Sequence, residues 1–185
     1  MRIIAIIPAR GGSKRLANKN IFPLKGKPLL AYTIEACRQS AHISNIYVST
    51  DADEIAQVAK QYEAVALMRP AKLADDTTPK IVAIRQAVND PAVEALHKDD
   101  IVVVAQANSP QITSAQLDSA IEMMLKHNLW EVMSTDANGV QNAAFRVVRY
   151  HALFNTFLSA HCGFVVAPNV DVHTLEDVEK IEALM

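Results

Sequence analysis

A short basic segment near the N-terminus carries the residue types of an anion-binding site. Residues 6–20 read IIPARGGSKRLANKN, and six of the 18 Lys and Arg residues lie between residues 10 and 27, with no acidic residue before Glu35. The whole chain has a net charge of −2, so this excess is local. Lys14 and Lys19 would supply compact positive charges. A cationic loop in a net-negative protein predicts a phosphate or another anion as its ligand.

The same loop can present further hydrogen-bond donors to a phosphate. Gly11 and Gly12 have no Cβ, which lets their backbone N–H groups approach an anion closely, and Ser13 adds a hydroxyl. Arg10 can place two parallel N–H donors on one phosphate. The glycines are adjacent and no helix follows at once, so the loop matches neither the P-loop pattern nor the dinucleotide pattern GxGxxG. The alternative interpretation is a solvated basic loop without a ligand.

Alternating strands and helices must position this loop. Apolar, β-branched runs predict strands at residues 2–7, 46–50, 64–68, 101–105, 130–134 and 143–149, and in the segments GFVVA and VDV near the C-terminus. Helical spacing and capping residues predict helices at residues 28–40, 78–88 and 114–127, a helix capped by Asp51 and Glu54 that ends near Tyr62, and a last helix capped by Thr174 and Asp177.

This alternation predicts the fold class. Short connections between strands and helices favour an α/β fold with three layers, in which an open, mostly parallel sheet carries helices on both faces. Residues 1–185 are expected to form one domain, with the apolar strand at residues 101–105 in the centre. Ligands bind such sheets at the carboxyl ends of the strands. The basic loop follows the first strand and therefore lies at that edge.

Composition argues against several classes of protein. Half of the 185 residues are apolar and 21% are charged, which is typical of an ordinary globular domain and not of a nucleic-acid or membrane-surface binder. The opening segment MRIIAIIPA is too short to span a bilayer, and basic residues follow it, the reverse of a signal peptide. We therefore expect a cytoplasmic protein that binds neither nucleic acid nor membranes.

Several motifs resemble those of a known family. The segment IPARGGSKRLANKN is similar to the signature loop of the acylneuraminate cytidylyltransferases, which belong to the sugar nucleotidyltransferases. Five further segments follow in that family's order: LKGKPLLAYTI, VSTDADEIAQVAK, RPAKLADDTT, AQANSP and DVHTLEDV. Together these segments span most of the chain. The resemblance implies the Rossmann-like nucleotide-diphospho-sugar transferase fold.

The resemblance also implies a reaction. The anomeric hydroxyl of a sialic-acid-like sugar acid would attack the α-phosphorus of CTP and release pyrophosphate, with Mg²⁺ as the cofactor that neutralises the growing charge. Positioning and electrostatic stabilisation would supply most of the catalysis. By the motif, Arg10 and Lys19 are the catalytic candidates. The nucleotide-binding candidates are Ala9, Arg10, Gly11, Gly12, Ser13, Lys14, Lys19, Asn20, Arg69 and Thr77.

Arg69 and Thr77 are candidates because they lie in the segment RPAKLADDTT, and the resemblance implies that this segment borders the cytosine pocket. Both are therefore candidates for contacting the base. The hydroxyls and carboxylates of this segment also precede a predicted helix, so helix capping is a simpler explanation for some of them. Asp51 has the same explanation and is left out of the predicted site.

The third group of candidates follows the central strand and recurs near the C-terminus. Gln106 matches a family position that faces the sugar, and Asn108 and Ser109 join it as substrate-binding candidates. Asp171 is the predicted Mg²⁺ ligand, because this hard cation prefers oxygen. The family commonly has a second Asp two residues later, where this chain has His173, and imidazole is a poorer partner for Mg²⁺.

Two further departures from the family leave alternatives open. The family motif TSPLR reads NSPQI here, without the arginine, and the insertion that forms the dimer arm is largely absent near residues 135–142. A homodimer is therefore expected only in weakened form. The first hypothesis is an enzyme that couples CMP to a sugar acid, or a nucleotidyltransferase for another sugar. The second is a nucleotide-binding module that has lost catalysis, which the missing Asp and the short insertion favour.

Overall fold

The computed structural model describes residues 1–75, 77–156 and 159–185, in which strands and helices alternate. The strands are β1 (Ile3–Pro8), β2 (Pro23–Leu24), β3 (Lys27–Pro28), β4 (Asn45–Thr50), β5 (Val65–Met68), β6 (Ile101–Ala105), β7 (Glu131–Thr135), β8 (Gln141–Arg149) and β9 (Cys162–Val166). The helices are α1 (Leu29–Arg38), α2 (Asp53–Gln61), α3 (Lys80–Val88), α4 (Ser114–His127) and α5 (Leu175–Leu184).

Within the described residues, seven strands form one sheet in the order β5-β4-β1-β6-β8-β7-β9, and β2 pairs with β3 in a separate ribbon. The strands from β5 to β6 run parallel to one another, and β9 runs parallel to β7. β8 is antiparallel to both of its neighbours. The predicted mostly parallel sheet is confirmed, as is the central place of β6.

Helices cover both faces of this sheet. On one face, α1, α2 and α4 bury Ile34, Ile55 and Ile121 in a core cluster with Ala5 and Val103. On the other face, α3 packs a second apolar cluster against the same central strands. Because β1 and β6 are apolar and covered on both sides, burial fixes them firmly and makes their carboxyl ends a rigid base for the loops that follow.

A third apolar cluster joins the basic loop to the C-terminal helix. Leu16 of the loop is buried beside Val172, and α5 contributes Val178 and Ile181 to the same cluster. The N-terminus of α5 carries the predicted capping box, in which Thr174 and Asp177 exchange hydrogen bonds. The loop after β1 and the segment before α5 are therefore packed against each other.

Two local predictions were wrong. Asp51 and Glu54 do not cap α2, which begins after Ala52 without a capping side chain among the described residues. The carboxylate of Asp51 accepts a hydrogen bond from the backbone of the basic loop instead. The segment VDV is not a strand, because Val172 bonds to Asn108 in the turn after β6 rather than to a neighbouring strand.

A tight hairpin joins β7 to β8, where the family commonly has its insertion. Asp136 accepts hydrogen bonds from the backbone N–H groups of Asn138 and Val140. Gly139 completes the turn with a φ of 80°, a conformation in which glycine avoids a steric cost. None of the helices in the described part of the chain is long and apolar enough to cross a membrane.

Candidate active site

A cavity of about 610 Å³ opens at the carboxyl ends of β1 and β6. Most of the predicted site residues line it: Arg10, Ser13, Lys14, Lys19, Asn20, Arg69, Gln106, Asn108 and Asp171. The structure also describes Ala9, Gly11, Gly12, Thr77 and Ser109, and these five do not line the cavity. Residues that are distant in the chain thus meet around one space.

Backbone hydrogen bonds hold the basic loop at the end of β1. Ala9 donates its N–H to the carbonyl of Ser49 in β4 at 2.9 Å, which extends the sheet by one residue. The buried Asn20 donates its side-chain amide to the carbonyl of Arg10 at 2.8 Å and so ties the two ends of the loop together. These bonds occupy main-chain groups and leave the charged side chains at the cavity wall.

Gly11 has a structural reason to be glycine. A Cβ at this position would lie 2.8 Å from the Cβ of Ala52, which is closer than two carbons can pack. Its N–H donates to the carboxylate of Asp51 at 3.0 Å, so this donor is already engaged. At Gly12, no described atom lies within 4 Å of such a Cβ, and the residue is exposed.

Lys19 lies at the centre of the positive charge in the cavity. Burial lowers the pKa of its ammonium group, and the neighbouring charge of Arg15 acts in the same direction, whereas Asp171 acts against both. The ammonium group is therefore held in surroundings that would favour a bound anion. A phosphate placed there would restore the electrostatic compensation that water gives to a surface lysine.

His173 lies where the resemblance predicts a second Asp, and its contacts indicate its role. Its Nδ1 lies 3.1 Å from the guanidinium of Arg15 and 3.4 Å from the ammonium of Lys19. Both partners can only donate, so Nδ1 accepts. Burial lowers the pKa of His173, and the two cations lower it further. His173 thus acts as a neutral acceptor that orients the two basic side chains.

Arg69 lies deeper in the same cavity, just after β5. It is 7% exposed, its guanidinium is 3.9 Å from the carboxylate of Asp51, and no group in the described ranges accepts a hydrogen bond from its Nε. Burial lowers its pKa, and Asp51 opposes that shift. A buried donor without a protein partner is costly, which makes it a candidate for binding a polar ligand group.

The turn after β6 and the segment before α5 form a second wall, which adjoins the basic loop through Leu16 and Val172. Asn108 donates its side-chain amide to the carbonyl of Val172 at 3.0 Å, and Val172 donates its N–H back to the carbonyl of Asn108 at 2.8 Å. The buried Ser109 donates its hydroxyl to the carboxylate of Asp171. Asn108 and Ser109 therefore hold Asp171 in place at the cavity wall.

The donor set around Asp171 fits one mode of magnesium binding. No cluster of three or more His, Cys, Asp and Glu side chains that could hold a metal occurs among the described residues. Mg²⁺ needs no such cluster, because it commonly binds through one or two carboxylates together with substrate phosphates and water. Asp171 offers one oriented carboxylate beside the cationic loop. It fits as a single protein ligand to a metal that a nucleotide brings with it.

Thr77 and its neighbours behave as local turn residues. Asp75 accepts hydrogen bonds from the backbone N–H and the hydroxyl of Thr77 and from the backbone N–H of Thr78. Hydrogen bonds from Thr78, followed by those from Thr77, lower the pKa of Asp75. Thr78 lines the cavity, whereas Thr77 does not.

Sequence reasoning missed Lys80, the first residue of α3. Its ammonium donates to the side-chain oxygen of Gln106 at 2.7 Å, and it lines the cavity with Asp171. The sequence did contain a sign of this role. A basic residue in the first turn of a helix is disfavoured by the helix dipole, which suggests a role other than helix stability.

The family comparison agrees with this arrangement. A family model described as cytidylyltransferase matches residues 4–159, a range that contains the basic loop, Arg69 and Gln106. The chain belongs to the cytidylyltransferase family. The resemblance drawn from the motifs is thereby confirmed, and the basic loop lies within the matched range.

Curated cytidylyltransferases match parts of this family member. It is 48% identical over 88 residues to the N-acylneuraminate cytidylyltransferase of Escherichia coli O18:K1:H7, covering 48% of this chain and 21% of that protein. It is 55% identical over 82 residues to the CMP-N,N'-diacetyllegionaminic acid synthase of Legionella pneumophila, covering 44% of this chain and 35% of that protein. It is 36% identical over 132 residues to a pseudaminic acid cytidylyltransferase of Campylobacter jejuni, covering 69% of this chain and 55% of that protein. The matches thus span from 21% to 55% of these relatives.

Solved structures share the fold of this cytidylyltransferase-family chain over its whole length. A CMP:2-keto-3-deoxy-manno-octonic acid synthetase complexed with CTP matches with a TM-score of 0.81 and 19% identity, over 100% of this chain and 98% of that one. A cytidylyltransferase from Leptospira borgpetersenii matches with a TM-score of 0.73 and 18% identity, over 99% and 86%. The predicted nucleotidyltransferase fold is confirmed.

Proposed function

We propose that the chain transfers CMP from CTP to the anomeric hydroxyl of a sialic-acid-like sugar acid and releases pyrophosphate. One observation carries the proposal: the basic loop of a cytidylyltransferase family member lines a cavity together with Asp171. The relatives named for N-acylneuraminate, legionaminic acid and pseudaminic acid support this class of acceptor. We also propose a cytoplasmic location, because CTP is an intracellular nucleotide.

The basic loop would bind the triphosphate. Arg10, Ser13, Lys14 and Lys19 line the same wall, and they combine a guanidinium, a hydroxyl and two ammonium groups. Such a set can surround several phosphate oxygens at once. Lys19 is the best-placed catalytic candidate, because its partly buried charge lines the cavity and interacts with Asp171.

Arg69 would contact the cytosine base. Its buried guanidinium keeps a donor at Nε without an acceptor in the described part of the chain. A base carbonyl could accept from this guanidinium, and the burial would make the contact selective. Thr78, which lines the cavity, is a better placed neighbour for the nucleotide than Thr77.

In the proposed reaction, the anomeric hydroxyl oxygen bonds to the α-phosphorus as the bond between that phosphorus and the oxygen bridging to the β-phosphate breaks. Pyrophosphate leaves, and the hydroxyl proton passes to water. Negative charge grows on the phosphate oxygens, and Lys19 with Arg10 would stabilise it. Asp171, oriented by Ser109, would hold Mg²⁺ against the phosphates. When bound, the metal supplies additional positive charge to the same oxygens.

A second candidate function has its own support. A nucleotide-binding module would keep the basic loop and need no acceptor site. The hairpin of residues 136–140 in place of a long insertion and His173 in place of a second carboxylate favour this alternative. It differs from the first function in catalysis, not in CTP binding.

A pyrophosphate-release assay separates the two functions. CTP, UTP, ATP and GTP would each be tested with N-acetylneuraminic, legionaminic, pseudaminic and 2-keto-3-deoxy-manno-octonic acids, with and without Mg²⁺. Calorimetric titration with CTP would run in parallel. We expect Mg²⁺-dependent release with CTP and one of these acids.

The outcomes are distinct. Release with CTP and one acid supports the enzyme, and the identity of that acid names the substrate. CTP binding without release from any acid supports the module. A protein that does not bind CTP contradicts both functions.

A further inference from the structure

Lys80 occupies a position that helix stability disfavours. It is the first residue of α3, where the positive end of the helix dipole repels a cation, and the first turn contains no acidic residue to offset it. Lys80 nevertheless points its ammonium group at Gln106, whose side-chain oxygen accepts a hydrogen bond at 2.7 Å. Lys80 therefore carries a charge that the helix dipole disfavours, and the buried amide of Gln106 holds it in place, which makes it a candidate for binding a ligand.

The surroundings of Lys80 favour an anionic ligand. Lys80 is exposed overall, yet the protein atoms around its ammonium group partly desolvate it and lower its pKa, while the negative charge of Asp171 acts in the opposite direction. Lys80 also adds to the positive potential at Lys19. An anion that enters the cavity near Lys80 would compensate this positive charge.

Two anions could take this place, the triphosphate and the acid group of the acceptor. The basic loop already offers Arg10, Lys14 and Lys19 to the phosphates from the end of β1. Lys80 lies on α3 and is held by Gln106, at the end of β6. This position is beside the predicted sugar site, where the turn reads NSPQI and contributes no arginine. The acceptor carboxylate is therefore the better match.

We propose that Lys80, oriented by Gln106, binds the carboxylate of the acceptor and so selects sugar acids over neutral sugars. This inference rests on the proposed function, since it concerns the second substrate of the same cavity. The contact exists before and during the reaction. Its loss therefore raises the KM for the acid more than it lowers kcat.

The test compares an acid with its neutral ester in a complex that cannot react. The protein is loaded with a CTP analogue that has a methylene group between the α- and β-phosphorus. It is then titrated with N-acetylneuraminic acid or with the methyl ester of that acid. For the unsubstituted protein we expect the acid to bind about 10- to 100-fold more tightly, the factor for a hydrogen bond to a charged group.

Variants assign that preference to Lys80. Lys80→Met should bind acid and ester about equally, and Lys80→Arg, which keeps the charge, should keep a preference for the acid. Lys72→Met is the matched control, because Lys72 is exposed nearby and does not line the cavity. It should keep the full preference. Melting temperatures and affinity for the CTP analogue should be similar in all four proteins.

Four results would overturn the inference. In the first, Lys80→Met still binds the acid more tightly than the ester. In the second, Lys80→Met weakens binding of the CTP analogue alone as strongly as it weakens binding of the acid, which would assign Lys80 to the phosphates. Alternatively, the unsubstituted protein binds acid and ester equally, or binds neither. Pyrophosphate release tests the proposed function separately. A protein that releases no pyrophosphate but binds the acid in a Lys80-dependent way loses the proposed catalysis and keeps this inference.

Discussion

The two walls of the cavity are built in different ways. The basic loop is held through its backbone, by the Ala9 bond to the sheet and the Gly11 bond to Asp51, and it presents its cations to the cavity. The C-terminal wall, formed by the turn after β6 and the segment before α5, is irregular in structure, and side chains of the turn hold the segment in place. Asn108 binds Val172 there, and Ser109 binds Asp171.

The difference in construction parallels a difference in sequence. The wall held by backbone bonds keeps the family motif from residue 7 to residue 20. The wall held by side chains carries the departures, with His173 in place of a carboxylate and the turn NSPQI without arginine. A wall fixed by side chains can change its chemistry through few substitutions. The nucleotide side is therefore the part of this cavity that matches the family motif, and the acceptor side is the part on which specificity would depend.

The largest effect is expected from Lys19→Ala on the basic wall. Removing this ammonium group removes charge stabilisation where negative charge grows, and such losses lower kcat by about 10²–10³-fold. The KM for CTP should change less, because Arg10 and Lys14 remain. Steady-state pyrophosphate release at saturating CTP measures this effect.

Lys60→Ala is the control for that measurement. Lys60 is exposed on α2 and does not line the cavity, so its loss should leave kcat unchanged. Near-native kcat in Lys19→Ala with an unchanged melting temperature would show that the basic wall binds the nucleotide without contributing to catalysis.

The basic wall and the frame of the fold could be predicted because their signals are local. Charge excess and adjacent glycines mark the loop at residues 10–20 without reference to any distant residue. Helix α4 was predicted with the bounds that the structure has, and in the structure a capping box of Thr113 and Gln116 fixes its start. The central strand β6 was equally clear, because five consecutive apolar residues require burial on both faces.

The remaining features depend on contacts between distant residues. Asp51 reads as a helix cap, and only the fold brings Gly11 to its carboxylate, 40 positions away in the chain. Lys80 stands out locally only as a basic residue in a first helical turn, and its partner Gln106 comes from the end of β6. Val172 lies in a strand-like run but bonds to a turn. In each case the competing partner comes from another element, which a local pattern cannot reveal.

A pair of glycine substitutions tests how closely the basic wall is fitted to the sheet. Gly11→Ala places a Cβ 2.8 Å from that of Ala52, so the loop or the start of α2 must shift. Overpacking of this kind costs roughly 1–3 kcal/mol. At Gly12 the described atoms leave the Cβ position open within 4 Å, so Gly12→Ala should be close to neutral. Urea unfolding of both variants measures the difference, and equal stabilities would mean that the loop is not held as tightly as its contacts suggest.

The smallest effect is expected on the C-terminal wall, from Asp177→Asn. The backbone N–H of His173, aided by Thr174, lowers the pKa of Asp177 in the folded protein. Because the pKa is lowered on folding, the ionised carboxylate stabilises the fold fully at pH values above the pKa of the unfolded chain, near 3.8. This stabilisation is lost as the pH falls through the lower pKa of the folded protein. For a surface carboxylate at a helix N-terminus it amounts to roughly 0.3–1 kcal/mol.

Urea unfolding at pH 7 and pH 3.5 checks both the size and the sign of this effect. The substitution should destabilise the protein at pH 7, and the difference from the unsubstituted protein should shrink at pH 3.5. Glu179→Gln provides the control, because this exposed carboxylate lies beyond the first turn of α5 and should show a smaller effect at neutral pH. A difference that stayed the same at both pH values would assign the role of Asp177 to hydrogen-bond geometry. The capping box at the start of α5 would then be held by hydrogen bonds without a contribution from the charge of Asp177.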